Sequence, residues 1–233
     1  MKFNRSGVKA LARGFLSLIP VAGPAVDSIL SDLAAYQTER EIQRFAELIN
    51  SLSNEIAEVK MELNCEYIHK DDFLDIFKST ARYVCNERVA EKRLLFRYIL
   101  VNSMIDKDCD YDRTEAYFRL LERMSVLDIL ILKILKDPVT YVNSNPLLLQ
   151  NCFKSDATEY MVFLMPYKSI DVLTSLTENQ REKVEESVYI LEKERLIKDA
   201  LDAGYELSKE PVEVLKDKLT SKGRCFLEFI SKA

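Results

Sequence analysis

A chain of 233 residues is long enough for one large domain or two small ones with ordinary cores, and the pattern shift described below favours two units, 1–124 and 125–233. Hydrophobic residues at 48% against 30% charged exclude a disordered tract and a membrane-embedded chain, while only 5 Gly and 6 Pro leave little material for tight β-turns, so helices are predicted. The net charge of −5 hides an asymmetry. Residues 1–24 carry Lys2, Arg5, Lys9 and Arg13 and no acid, a local +4 that leaves −9 on the remainder. Such a balance argues against a nucleic acid partner and is compatible with an anionic lipid surface or an acidic protein partner.

The first predicted element is an amphipathic helix over residues 5–19. Val8, Leu11, Phe15 and Leu18 recur at spacings of three and four, and Arg5, Lys9 and Arg13 recur every fourth residue, so one face is apolar and another basic. Pro20 ends it, and Pro24 suits the first turn of the helix that follows, which makes "IPVAGP" a helical corner. A secretory leader is not expected, because the basic residues are spread to position 13 and the apolar pattern runs on through Val26, Leu30 and Leu33. Nor is a bilayer span, which needs about 20 apolar residues where this run is far shorter. Two roles remain for the segment. Either Lys2, Arg5, Lys9 and Arg13 attract an anionic membrane into which Phe15, Leu16, Leu18 and Ile19 insert, or the apolar face is core and the basic stripe is solvated.

Ile42, Phe45, Ile49, Leu52, Ile56, Val59 and Leu63 keep a heptad, the clearest periodic signal in the chain. Without Gly or Pro between Pro24 and Pro138, a long helix over about 25–63 is predicted. Its seam packs within the bundle or, alternatively, against a second copy. Asp71 or Asp72 is the expected cap of the next helix, "DDFLDIFKSTARYVCNE", which "RVAEKRLLFRYILVNSMI" continues or follows. The aspartates of "DKDCDYD" lack the Gly and Glu that a calcium loop requires, so they are read as a solvated loop capping a helix near Arg113.

The second half changes character. Ser125 is the predicted cap of "VLDILILKILKDP", and Thr177 that of the strong helix "TENQREKVEESVYILEKERL". That helix, then "LIKDAL", a loop around Gly204, a β-prone "PVEVLKDKL" and the closing "TSKGRCFLEFI" resemble a winged-helix domain. The resemblance implies a two-stranded wing, and hence a mainly α chain with an α+β C-terminal domain. Winged helices often meet DNA, but residues 178–194 carry six acids against three bases and would be repelled by phosphates, so protein contact is the expected use.

The whole order of elements, with "RLLERMSVLDILILKILKDP" and "LTSKGRCFLEFI", resembles the Abi-alpha-like bacterial proteins linked to abortive infection. The basic helix before the apolar corner resembles the N-terminal bundle of HeLo-type membrane-damaging proteins. Either resemblance implies a defence or cell-death role without a known chemistry to carry over.

No catalytic constellation stands against this. His69 is the lone histidine, and no arginine lies just before it to complete the motif of the helical ribonucleases. The five glycines are too scattered for a phosphate loop, and the five cysteines are too irregular for zinc and read as reduced thiols. The expectation is therefore a non-enzymatic defence protein without metal or cofactor, cytoplasmic or peripheral at the inner membrane, whose C-terminal module binds a protein partner or a second copy. The alternative is a cytosolic winged-helix interaction module or transcriptional regulator.

Overall fold

The computed structural model describes Ile19 and residues 22–23, 26–29, 31, 39–59, 64–68, 71–106, 110–146, 168–198 and 211–231, and all structural statements concern these. They are mainly helical. The chain divides into two compact units, Met1–Arg123 with Phe229–Ala233, and Met124–Glu228. The last five residues thus group with the first unit, where the sequence pattern had put them in the second.

In the first unit the helices are α1 (Glu39–Val59), α2 (Cys65–Ile68), α3 (Asp71–Asn86), α4 (Ala90–Ile105) and α5 (Tyr111–Arg123). Of the long helix expected over 25–63, α1 and the helical positions at 26–29 and 31 are described. The heptad explains where α1 packs. Phe45, Ile49, Leu52 and Ile56 are fully buried, Ile42 is half-buried, and α1 lies against α3 and α4. The Val59 side chain and Leu63 lie outside the described residues.

Helix α4 is the centre of this bundle and touches α1, α2, α3 and α5. Leu95, Phe96, Ile99, Leu100, Val101 and Met104 are all buried on it, and Arg93, Arg97, Tyr98 and Asn102 between them are half-buried, so it is covered on most sides rather than along one stripe. The Arg97 guanidinium meets the Glu55 carboxylate at 2.9 Å and ties α4 to α1. Asp71 and Asp72 stand inside the first turn of α3, where their charge suits the helix N-terminus. Asp110 caps α5, its carboxylate accepting from the Arg113 N–H at 2.7 Å.

The second unit contains α6 (Val126–Lys136), α7 (Pro138–Ser144), α8 (Ser169–Thr177), α9 (Arg181–Lys193) and all of α10 (Ser221–Phe229) but its last residue, which groups with the first unit. Ser125 caps α6 in a reciprocal box. Its hydroxyl accepts from the Asp128 N–H at 3.1 Å, and its own N–H donates to the Asp128 carboxylate at 2.6 Å. Helices α6, α8 and α9 pack together through Ile129, Leu132, Leu173, Val184, Val188 and Leu191.

Two sequence expectations fail here. Thr177 does not cap α9. It is buried at the end of α8, where its hydroxyl donates to the Leu173 carbonyl at 2.8 Å, and Glu178 then leaves the helix at a left-handed φ of 52°. The strand expected over 211–219 is also absent: among the described residues there is no strand, only a single antiparallel bridge, Ile197 with Leu219. Residues 211–217 form turns instead, with the Leu215 and Lys216 N–H groups both donating to the Val212 carbonyl. Val214 and Leu215 are buried side by side, unlike the in-and-out alternation of a strand with one solvated face, and Asp217 has a φ of 55°.

Candidate functional site

Helices α3 and α5 and the link 87–89 enclose a groove of about 900 Å³ within the first unit. Its floor is aromatic. The Tyr83 ring lies 4.0 Å from that of Phe96 and 6.0 Å, edge on, from that of Phe118. Arg82, Arg88 and Arg119 and the carboxylates of Glu115 and Glu122 line its exposed sides. Arg119 and Glu115, one turn apart on α5, pair at 2.6 Å.

Beside the floor sits a charged network that ordinary burial would forbid. Lys92 is 8% exposed, and its ammonium donates to the Tyr83 hydroxyl and to the Glu122 carbonyl, both at 3.1 Å, with the Glu87 carboxylate 3.9 Å away. The Tyr83 hydroxyl donates to Glu87 at 3.1 Å, and the Val89 N–H donates to the other Glu87 oxygen at 2.8 Å. Burial and then the bond to Glu87 push the Tyr83 hydroxyl above its ordinary value. Burial alone would raise the Glu87 carboxyl, but the Val89 N–H, the Tyr83 hydroxyl and the Lys92 ammonium outweigh it and hold the group below its ordinary range.

These shifts decide what the network can do. Tyr83 is kept protonated and Glu87 ionised across the physiological range, so neither is poised to exchange a proton near neutrality. What the three side chains achieve is positional. They fix the link 87–89, which carries the exposed Val89 and Arg88, against the end of α5. One wall of the groove, the link 87–89, is thus held in place by hydrogen bonds to Glu87 and Lys92.

The residues singled out from sequence lie elsewhere. Lys2, Arg5, Lys9, Arg13, Phe15, Leu16 and Leu18 fall outside the described residues, as does His69. Ile19 is described and wholly buried, as are Ala22 and Val26, with Ile29 3% exposed. The Ala22 N–H closes the corner on the Ile19 carbonyl at 3.1 Å. The heptad residues Phe45, Ile49, Leu52 and Ile56 belong to the core rather than to the groove. Cys85 is a buried free thiol pushed up to about 12 by burial and the nearby Glu41 charge, whereas Cys225 is exposed. Among the described residues no helix is long and apolar enough to cross a membrane, and no three His, Cys, Asp or Glu side chains stand where they could hold a metal ion.

Sequence reasoning missed Tyr83, Glu87 and Lys92. The signal was present as Tyr83 and Glu87 four apart on a helix end, with a lysine at an otherwise apolar position of the next helix. No protein-family model matches the chain, and comparison with curated proteins and with solved structures finds no match.

Proposed function

We propose that this is a non-enzymatic bacterial defence protein of the abortive-infection type, in which the apolar corner is stored in the core and the basic N-terminal segment is deployed on an anionic membrane when a protein partner engages the C-terminal unit. The observation that carries this reading is the corner itself: Ile19, Ala22, Val26 and Ile29 are buried directly after a segment that carries +4 and no acid. Membrane attachment of an amphipathic element draws on buried apolar area together with cationic attraction of about 1 kcal/mol per basic residue. With the apolar part sequestered, the charge alone holds only weakly, and the protein rests in a latent state, cytoplasmic or peripheral at the inner membrane.

The test is sedimentation with anionic vesicles at low and physiological salt. Wild type binds weakly and loses that binding with salt. Val26→Ser, which loosens the corner, binds more strongly, and adding Arg5→Glu, Lys9→Glu and Arg13→Glu abolishes the gain. Equal binding of wild type and Val26→Ser, or a gain that survives the charge reversal, overturns the proposal.

A second reading, a cytosolic winged-helix interaction module or regulator, is favoured by the order of the second unit: α6, α8 and α9, then the Ile197–Leu219 bridge, then α10. On it the exposed face of α9, with Tyr189 64% exposed among Glu182, Glu185 and Glu186, meets a protein.

A further inference from the structure

Two surfaces of this chain complement one another. On α9 the residues Glu182, Glu185, Glu186, Tyr189 and Lys193 share one side through their spacing of three and four, and all five are exposed. Glu185 is held by Arg181 at 2.7 Å, which leaves the ridge acidic before Tyr189 and basic after it. Among the described residues the exposed large apolar side chains are Val89, Val139 and Tyr189. Tyr189 crowns this ridge, and Val89 lines the groove between α3, α5 and the link 87–89.

The groove matches the ridge in length and in charge. Its helix faces, Ile76 to Asn86 and Tyr111 to Glu122, each run about 15 Å, as does the ridge from Glu182 to Lys193. On the α3 side its lining carries Arg82 and Arg88 and one acid, Glu87, which is turned inward to the Tyr83 hydroxyl and the Lys92 ammonium. On the α5 side Glu115 and Arg119 pair with each other, and Glu122 is the charge beyond them.

We propose that α9 of one copy of this chain docks in the groove of a second copy. Tyr189 meets the Tyr83 and Phe118 floor beside Val89, the acids of the ridge meet Arg82 and Arg88, and Lys193 meets Glu122. The inference rests on the reading in which the exposed face of α9 meets a protein, and it names that protein. An interface needs an aromatic anchor in a pocket, ringed by charges that fix its register, and the two surfaces supply these parts to each other. Because the surfaces differ, the contact is head-to-tail and either closes into a ring or continues from copy to copy.

Sedimentation velocity of the full chain from about 1 to 100 μM tests this, in the range where small interfaces assemble. Wild type gives a mass that rises with concentration to a dimer or more. Tyr189→Ala with Glu186→Lys spoils the ridge, and Arg88→Glu with Val89→Asp spoils the groove. Each pair weakens association about 30-fold or more, with an unchanged circular dichroism spectrum. An equal mixture of the two variants retains one sound ridge and one sound groove per pair, so it forms a one-to-one dimer and nothing larger. Wild type that stays monomeric at about 100 μM overturns the proposal. So does assembly that survives either double substitution, or a mixture no larger than its components. A photo-crosslinker in place of Tyr189, used in the native cell, separates this inference from the reading beneath it. The expected product joins position 189 to residues 76–89 or 111–122 of a second copy. A crosslink to a different protein overturns the self-contact and keeps the α9 reading, whereas no crosslink at all removes both.

Discussion

A buried lysine costs several kcal/mol unless its charge is met, and Lys92 is met by a hydroxyl, a carbonyl and a carboxylate at once. Removing one member of such a set strands the others. Lys92→Met leaves the Glu87 carboxylate and the Tyr83 hydroxyl facing an apolar group, and the expected loss is about 3 kcal/mol in chemical denaturation. The pH dependence has a definite sign. The folded Glu87 carboxyl titrates below its unfolded value, so its contribution is fully present above the ordinary glutamate value of about 4.3 and is lost as pH falls through the lower folded value. The stability difference between wild type and Glu87→Gln should therefore be constant at neutral pH and shrink only in acid. A difference that already shrinks between about pH 7 and 5 would show that Glu87 is not held ionised by these partners.

At the scale of the element, the heptad on α1 reports its own environment. Phe45, Ile49, Leu52 and Ile56 are covered by helices of the same unit, so a charge placed there is buried without a partner. Ile49→Asp with Ile56→Asp should abolish the cooperative thermal transition rather than yield a folded monomer from a larger assembly. Sedimentation velocity beside circular dichroism separates the two, since a folded, smaller species would identify the seam as intermolecular. This seam was readable in the sequence because a period of three and four survives whatever packs on it. The cap of α6 was readable for a similar reason: a serine and an aspartate three apart satisfy each other locally. The β-prone run at 211–219 misled because Val212, Val214 and Leu215 favour strands in isolation, whereas burial of Val214 and Leu215 together selected turns. Thr177 misled because a hydroxyl at a helix boundary can bond backward into the helix before it as well as forward into the one after. The groove was not legible at all, since it needs α5 brought beside α3, and no local pattern encodes that.

At the scale of the whole molecule, the first unit is discontinuous in sequence. The Asn102 amide on α4 donates to the carbonyls of Phe229 and Ser231 at 2.7 and 2.9 Å, and the Phe229 ring lies 5.2 Å from that of Tyr117 on α5. Arg113 stands over the same ring at 5.8 Å. A unit closed by a contact 127 residues apart gains that contact late, because the loop-closure entropy precedes the reward. Phe229 is 8% exposed, and replacing it with alanine should cost about 3–5 kcal/mol. Because the ring joins after the rest of α4 and α5 has formed, that loss belongs to the unfolding rate. Phe229→Ala should unfold faster with refolding nearly unchanged, and stopped-flow denaturation reads both limbs. A slowed refolding limb would place the returning C-terminal residues in the nucleus of the first unit instead, and would make its assembly depend on the end of the chain from the outset.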